Sequence, residues 1–283
     1  MTRQALPLRH AVALGLLQGP TELLPVSSSA HTTLLPWLAG RDHATLDPTL
    51  RKSFEVALHL GTAAALLSRP PWAPHTRGPG LAFLAAAVIP PAAAGYALGG
   101  HIERRLGTPA TIAAGLLAGS AAIGMAELTA RTRDAPARAA HSAGLRDGLA
   151  VGVAQALALI PGVSRSGASL AAARARGFSG EDADLLSWQA GMSVLAGAAL
   201  LQGLRLARSR PPARTTISLA AGAACAFAST RRSVASLTPR RRSRSLLACA
   251  GYRVALAALV VRRRRIAAAS NAAPIPKEKA ILT

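Results

Sequence analysis

An all-α, polytopic integral membrane protein built from an internal repeat is the fold class that this 283-residue sequence predicts. Three observations carry the prediction. Residues 54–68, 81–100, 110–130, 145–163, 186–207, 215–230 and 246–261 are apolar and mostly uncharged, and most approach the roughly 17–25 residues that cross a bilayer. The formal charge of +21 is almost all arginine, and the arginines sit between those runs: Arg131, Arg133, Arg138 and Arg146, then Arg205, Arg208, Arg210 and Arg214, then Arg231 and Arg232, then Arg240–Arg242 and Arg244, then Arg262–Arg265. Membrane proteins place their cytoplasmic positive charge in such positions. Finally, moving the register by 137 residues lays Gly15 on Gly152, Gln18 on Gln155, Val26 on Val163, Ser27 on Ser164 and Ser29 on Ser166, with no gap.

Composition narrows the partners. The hydrophobic fraction is 51% with only 3% aromatic, so the apolar mass is aliphatic. Basic charge confined to the ends of apolar runs argues against nucleic acid and for anionic lipid as its counterpart. Cys225 and Cys249, both inside apolar runs, make no disulfide framework. The first apolar run carries Glu22 and lacks a small-residue cleavage pattern after it, so it reads as part of the mature protein.

Taken in order, residues 1–10 are a short basic lead-in. Residues 11–24 are a helix interrupted at Gly19-Pro20, where a backbone donor is lost. Pro25 and three serines follow, and the stretch is too short and too polar at its end to span. A re-entrant element fits, because broken backbone is tolerated at membrane depth where it lines a protein cavity. Residues 32–53 read as a loop. A helix over 54–68, with Ser53 as N-cap, carries Glu55 and His59 four apart on one face and stops at Arg69-Pro70-Pro71. A Pro/Gly-rich loop covers 69–80. Helices over 81–100 and 110–130 flank a basic connector, His101 to Pro109, and Glu127 reaches Arg131 at i+4. After a polar loop over 131–147, residues 145–160 repeat the apolar approach and Pro161-Gly162 breaks it. Residues 168–185 read as amphipathic, ending in an acidic turn at Glu181, Asp182 and Asp184. Spans over 186–207, 215–230 and 246–261 follow, and 266–283 read as a disordered tail. The membrane domain covers 1–265, with one repeat over about 8–130 and the other over about 145–262.

The two repeated stretches carry the chemistry. GLLQGPTELLPVSSSAH, residues 15–31, holds Gln18, Glu22, Ser27, Ser28, Ser29 and His31 in an otherwise aliphatic region. Its copy, residues 152–168, has Leu159 for Glu22, Arg165 for Ser28 and Ala168 for His31. Gln18 and Glu22 share a helix face. A carboxylate at membrane depth is costly and is a functional candidate; the serines alone read equally as helix N-caps, and a lone histidine as a solvated one. In the copy, Arg165 offers a fork of donors for a phosphate. Gly162 and Gly167 allow close backbone approach, and Ser164 and Ser166 add hydroxyls beside a helix N-terminus; the bland alternative is an arginine snorkelling to the interface. Brought together near the midplane, one element supplies acid, hydroxyls and imidazole and the other an anion clamp. Glu22 and Gln18 are placed to hold a divalent cation, magnesium or calcium, through oxygen ligands. A serine or His31 would then attack or protonate a phosphoanhydride.

QGPTELLPVSSSAH resembles the first signature of the bacterial undecaprenyl-diphosphate phosphatase family, also called bacitracin resistance proteins. PGVSRSGAS, residues 161–169, is similar to the second signature, and FEVALHLGT, residues 54–62, to the helix between them. The similarity is close from about residue 8 to 180. Beyond 185 it loosens: SWQAGMSVLAGAAL lacks the family's Phe and Pro, the last third is Arg-rich, and only 251–261 resembles the closing helix. The resemblance implies an inner-membrane hydrolase with an inverted repeat, two re-entrant helix-loop-helix elements and about six spanning helices. Its substrate would be undecaprenyl diphosphate, cut to the monophosphate carrier lipid and inorganic phosphate. The product would be recycled for peptidoglycan synthesis, and the activity would confer bacitracin resistance. The site would face the periplasm and depend on a divalent metal. Carried over by residue, Gln18 and Glu22 match the acidic motif and its metal, Ser27, Ser28 and Ser29 the hydroxyl segment, and His31 the histidine. Ser164, Arg165, Ser166 and Gly167 match the phosphate-binding turn. Ser28 is the expected nucleophile and His31 the expected acid/base. Oligomeric state stays open, a homodimer among the options. The competing reading is a transporter or flippase of a lipid-linked phosphate, which needs Arg165 but has no use for a carboxylate beside a nucleophile.

Overall fold

The computed structural model describes residues 6–40, 47–68, 78–241 and 246–272. Within them the chain forms ten α-helices: α1 Leu8–Leu23, α2 Ser28–Leu38, α3 Pro48–Ser68, α4 Leu81–Leu106, α5 Pro109–Arg131, α6 Leu145–Leu157, α7 Arg165–Ala175, α8 Gly180–Arg208, α9 Ala213–Arg241 and α10 Leu246–Ala272. A short 3₁₀ turn, Ala140–Ser142, precedes α6. Spans Leu81–Ile102, Pro109–Arg131 and Gly180–Arg208 are long and apolar enough to cross a membrane. α3, α9 and α10, at 21, 29 and 27 residues, match them in length but carry more charge. The outward faces are apolar, with Tyr96 92% and Met125 67% exposed. Such side chains suit contact with lipid, and the protein is a polytopic membrane protein.

Several local expectations are corrected. Gly19-Pro20 does not interrupt α1, which runs through Pro20 and stops at Leu23. The stretch read as a loop over 32–53 is helical as far as Leu38, with Pro36 in the last turn. α3 starts five residues before Ser53, because Asp47 Oδ1 accepts from the Thr49 and Leu50 N–H groups (2.9 and 3.1 Å) and caps it instead. The His101–Pro109 connector is helical to Leu106, and the turn belongs to Thr108 and Thr111, which cap α5 reciprocally. The single amphipathic segment over 168–185 is two helices. α7 ends at Ala175, Gly177 takes φ +89°, and Ser179 caps α8, so that Glu181 and Asp182 complement the N-terminal dipole of α8. α10 continues to Ala272, through the first part of the supposed tail; residues 273–283, and most of the 69–80 loop, lie outside the described residues.

The helix order repeats: α1–α5 are followed by α6–α10 in the same sequence of short, short, long, long, long. Packing repeats with it, but across the halves. α1 lies along α9, and α6, its counterpart, lies along α4, the counterpart of α9. Small residues allow the close approach. A Cβ on Gly15 would come within 2.6 Å of the Gly222 carbonyl, and one on Gly148 would overlap the carbonyl of Phe83. Each short hairpin is thus held by the opposite repeat.

One polar knot ties the connection between halves. Asp147, buried at the start of α6, accepts from Arg138 (2.8 and 2.9 Å), Arg176 (2.7 Å) and the Gly144 N–H (3.1 Å), while Arg138 also stacks on Phe178. Burial opposes ionisation of Asp147, but these donors outweigh it and hold the carboxyl well below its ordinary range. The anticipated Glu127–Arg131 pair is present at 3.3 Å, with Arg174 on the other oxygen at 3.3 Å.

Candidate active site

The site forms where the two short hairpins break. α1 passes Pro25 and re-enters helix at Ser28; α6 passes Pro161-Gly162 and re-enters at Arg165. The residue before each re-entry is a serine with left-handed backbone, Ser27 at φ +73° and Ser164 at φ +71°. For a residue with a Cβ this conformation is uncommon and costs on the order of 1–3 kcal/mol. In both copies a hydroxyl pair is set at the turn, Ser27 Oγ to Ser29 Oγ and Ser164 Oγ to Ser166 Oγ, each 3.3 Å. The following helices, α2 and α7, are both 11 residues long, and their N-termini offer N–H groups without intrahelical partners.

Glu22 is the centre of the arrangement. Buried near the end of α1, its Oε2 accepts from Ser28 Oγ at 2.6 Å and from Gln18 Nε2 at 3.3 Å. Its Oε1 is paired with the Arg165 guanidinium, which also donates to the Gly191 carbonyl of α8. Carboxylate and hydroxyl come from the first repeat and the guanidinium from the second. A cleft of about 300 Å³ opens over this group. Glu22, Ser27, Ser28, Ser29, Ser164, Arg165 and Ser166 all line it.

Three expected site residues stand behind the cleft instead. Gln18, 1% exposed, touches it only through Glu22. Gly167 donates its N–H to Ser164 Oγ (3.2 Å), capping α7. His31, 2% exposed, has both ring nitrogens engaged: Nδ1 with the Ser27 carbonyl and Nε2 with Tyr252 Oη, each at 2.7 Å. A carbonyl only accepts, so Nδ1 carries the proton and Nε2 accepts from the tyrosine. The tyrosine ring lies parallel to the imidazole, 5.5 Å between centroids. His31 therefore pins the strained Ser27.

Other residues complete the site that the sequence reading left out. From α3, Arg51, Lys52, Glu55 and His59 line the cleft. His59 Nδ1 donates to the Glu55 carbonyl (2.8 Å), which turns Nε2 toward Glu22, 3.9 Å from Oε2. The available signal was the Glu55/His59 spacing inside an apolar run. From α10, Tyr252 and the fully buried Arg253 reach the backs of the two breaks. Here the signal was a lone charge in the apolar run 246–261, which is rare at membrane depth without a purpose.

The donor set can be tested against a divalent cation. Glu22, the Ser28 hydroxyl and, across the cleft, Glu55 are hard oxygen donors suited to magnesium or calcium. Among the described residues no three His, Cys, Asp or Glu groups cluster to form a complete protein cage. Oxygen donors of this kind would hold part of the shell of such an ion, magnesium being one that keeps its remaining positions for other oxygens.

Fold and site together define a class: a polytopic α-helical membrane protein with a duplicated broken-hairpin core, whose halves meet in a cleft lined by serine hydroxyls, a carboxylate and a guanidinium. A family model described as bacitracin resistance protein BacA matches residues 11–259. The undecaprenyl-diphosphatase of Geobacter sulfurreducens is 35% identical over 272 residues, covering 87% of this chain and 94% of the relative. Those of Pelobacter propionicus and Moorella thermoacetica are each 35% identical, covering 90% and 89% of this chain and 96% of each relative. The chain belongs to the bacitracin resistance protein BacA family.

Proposed function

We propose that this protein hydrolyses undecaprenyl diphosphate to undecaprenyl phosphate and inorganic phosphate. The observation that carries the reading is the triple contact at Glu22, which joins a hydroxyl from one hairpin to a guanidinium from the other. Bilayer depth suits a lipid whose chain stays in the membrane while its diphosphate enters the cleft. Arg165 keeps donors beyond the two it uses, so the terminal phosphate docks on its fork and on the N-termini of α2 and α7. Ser28 Oγ attacks the terminal phosphorus, its proton passes to Glu22 Oε2, and the bridging P–O bond breaks to release the monophosphate lipid. Water then attacks the phosphoserine. It gives a proton to His59 Nε2, and Glu22 returns its proton to Ser28 Oγ as phosphate leaves. Glu22, supported by Gln18, would hold a magnesium or calcium ion together with the substrate. When bound, the ion neutralises phosphate charge.

Three long helices per repeat make an odd number of crossings, so the second repeat runs through the membrane in the opposite sense and the hairpins enter from opposite faces. The protein resides in the bacterial plasma membrane with the cleft open to the periplasm. It recycles the carrier lipid for peptidoglycan synthesis and so counters bacitracin. The test is phosphate release from a polyprenyl diphosphate in vesicles holding the purified protein and magnesium. Release that disappears in Glu22→Ala supports hydrolysis. No release, alongside headgroup-dependent movement of the lipid between leaflets, establishes the transporter reading in its place.

A further inference from the structure

Arg253 is the largest fully buried side chain among the described residues, and it has no carboxylate partner in its contacts. Its guanidinium is spent on backbone carbonyls: Pro25 at 3.1 Å, Gly162 at 3.0 Å, Val163 at 2.9 Å and Leu116 at 3.3 Å. Pro25 and Gly162 are the same position in the two copies, 137 residues apart. Leu116 stands 137 residues before Arg253 itself. One guanidinium thus lies between the two copies and holds the equivalent carbonyl of each break. A place between the copies has room for one such group, and the matching residue of α5 is the aliphatic Leu116.

The surroundings are shaped for it. A Cβ on Gly119 would overlap Nη2, and a Cβ on Gly167 would lie 3.0 Å from Nη1. Gly167, expected to cradle phosphate, makes room for the arginine instead. The neighbouring Tyr252 holds His31, and His31 holds the Ser27 carbonyl. One turn of α10 therefore fixes four carbonyls of the two breaks: Pro25 and, through His31, Ser27 in the first, and Gly162 and Val163 in the second.

We propose that Arg253 is the positioning residue that sets the two hairpins in catalytic register, with Tyr252 and His31 as its extension onto the first hairpin. It touches no reacting atom. Misplacement of a reacting group by about 1 Å can cost on the order of 10²-fold in rate. Substrate binding on the cleft side is left largely intact, so the loss falls on kcat.

The kinetic test rests on the hydrolase reading. Arg253→Met should lower kcat by roughly 10²-fold with KM little changed, and Arg253→Lys should recover part of the loss. Gly167→Ala, which crowds Nη1, should lower kcat by about tenfold in the native background and do nothing further in Arg253→Lys. A distance measurement does not depend on that reading. Spin labels at Ala39→Cys and Ala175→Cys, the far ends of α2 and α7, in a Cys225→Ala, Cys249→Ala background, should give one narrow distribution that broadens in Arg253→Met. A folded Arg253→Met protein with native kcat and an unchanged distribution overturns the proposal. If that variant fails to fold, additive effects of Gly167→Ala and Arg253→Lys overturn it equally. Failure of the native protein to release phosphate would count against the hydrolase reading and leave the distance result to decide the coupling.

Discussion

The hairpin α1–α2 and the hairpin α6–α7 share a frame and divide the chemistry. Both break before a left-handed serine, pair that serine with the hydroxyl two residues on, and restart as an 11-residue helix. On that common backbone the first carries Glu22, Ser28 and His31, and the second carries Leu159, Arg165 and Ala168. The glutamines diverge as well. Gln18 supports Glu22, whereas Gln155 donates to the Ala87 carbonyl (3.0 Å) and stitches α6 to α4. A symmetric pair of carboxylates facing each other would repel, and two facing arginines likewise. Putting one sign on each copy lets the halves attract at the point where they meet.

Four experiments test that contrast. The largest effect is expected at Ser28, against its neighbour Ser29. Ser28→Ala should cost roughly 10⁴-fold or more in kcat, as loss of a nucleophile does, while Ser29→Ala stays within about tenfold; phosphate-release rates decide. Comparable losses would remove the distinction between the two hydroxyls. Next is the carboxylate. Glu22→Leu should cost roughly 10³-fold, and adding Leu159→Glu, which moves the charge to the other hairpin, should restore nothing because Ser28 remains behind. Restored turnover would show that the copies are interchangeable.

The third contrast is between two histidines. His59→Gln should lower kcat by roughly 10²-fold with added imidazole restoring part of it, and leave thermal unfolding near native. His31→Gln should instead lower the unfolding midpoint, since it removes the ring's bond to the Ser27 carbonyl and the partner of Tyr252 Oη. Its loss is about 1–3 kcal/mol, read by thermal unfolding in detergent. The opposite pattern would return the acid/base role to His31. The smallest effect on turnover belongs to Asp147, which exists only in the second half. Its carboxyl is held below the ordinary value of 3.8. Its contribution is therefore present above that value and is lost as pH falls through the lower folded-state value. Asp147→Asn should cost about 2 kcal/mol at neutral pH and flatten the acid limb of unfolding, with turnover per folded molecule unchanged. An unaltered acid limb would show that the knot adds no stability.

Much of this was legible in the chain. The register from Gln18 to Gln155 and from Ser27 to Ser164 located both breaks, and Glu22 and Arg165 stood out as charges in aliphatic surroundings. Local capping was less legible. Asp47 overrode Ser53 because an acidic side chain before Pro48 satisfies two orphan N–H groups at once, and Pro20 stayed inside α1 because the opposing helix packs against that turn. His31 looked catalytic because a histidine beside serines offers an acid/base by type alone. Its ring direction depends on Tyr252, 221 residues away.

Legible along the chain were the lipid-facing composition, the duplicated broken hairpins and the residue types gathered at the cleft. Those features follow from hydropathy and spacing, which are properties of neighbours along the chain. The tertiary structure decided which groups face the cleft and which support it. It placed His59 beside Glu22, turned His31 onto Ser27, and set Arg253 between the Pro25 and Gly162 carbonyls. Each of those assignments comes from helices far apart in the chain, brought within hydrogen-bonding range only when the two repeats pack across each other.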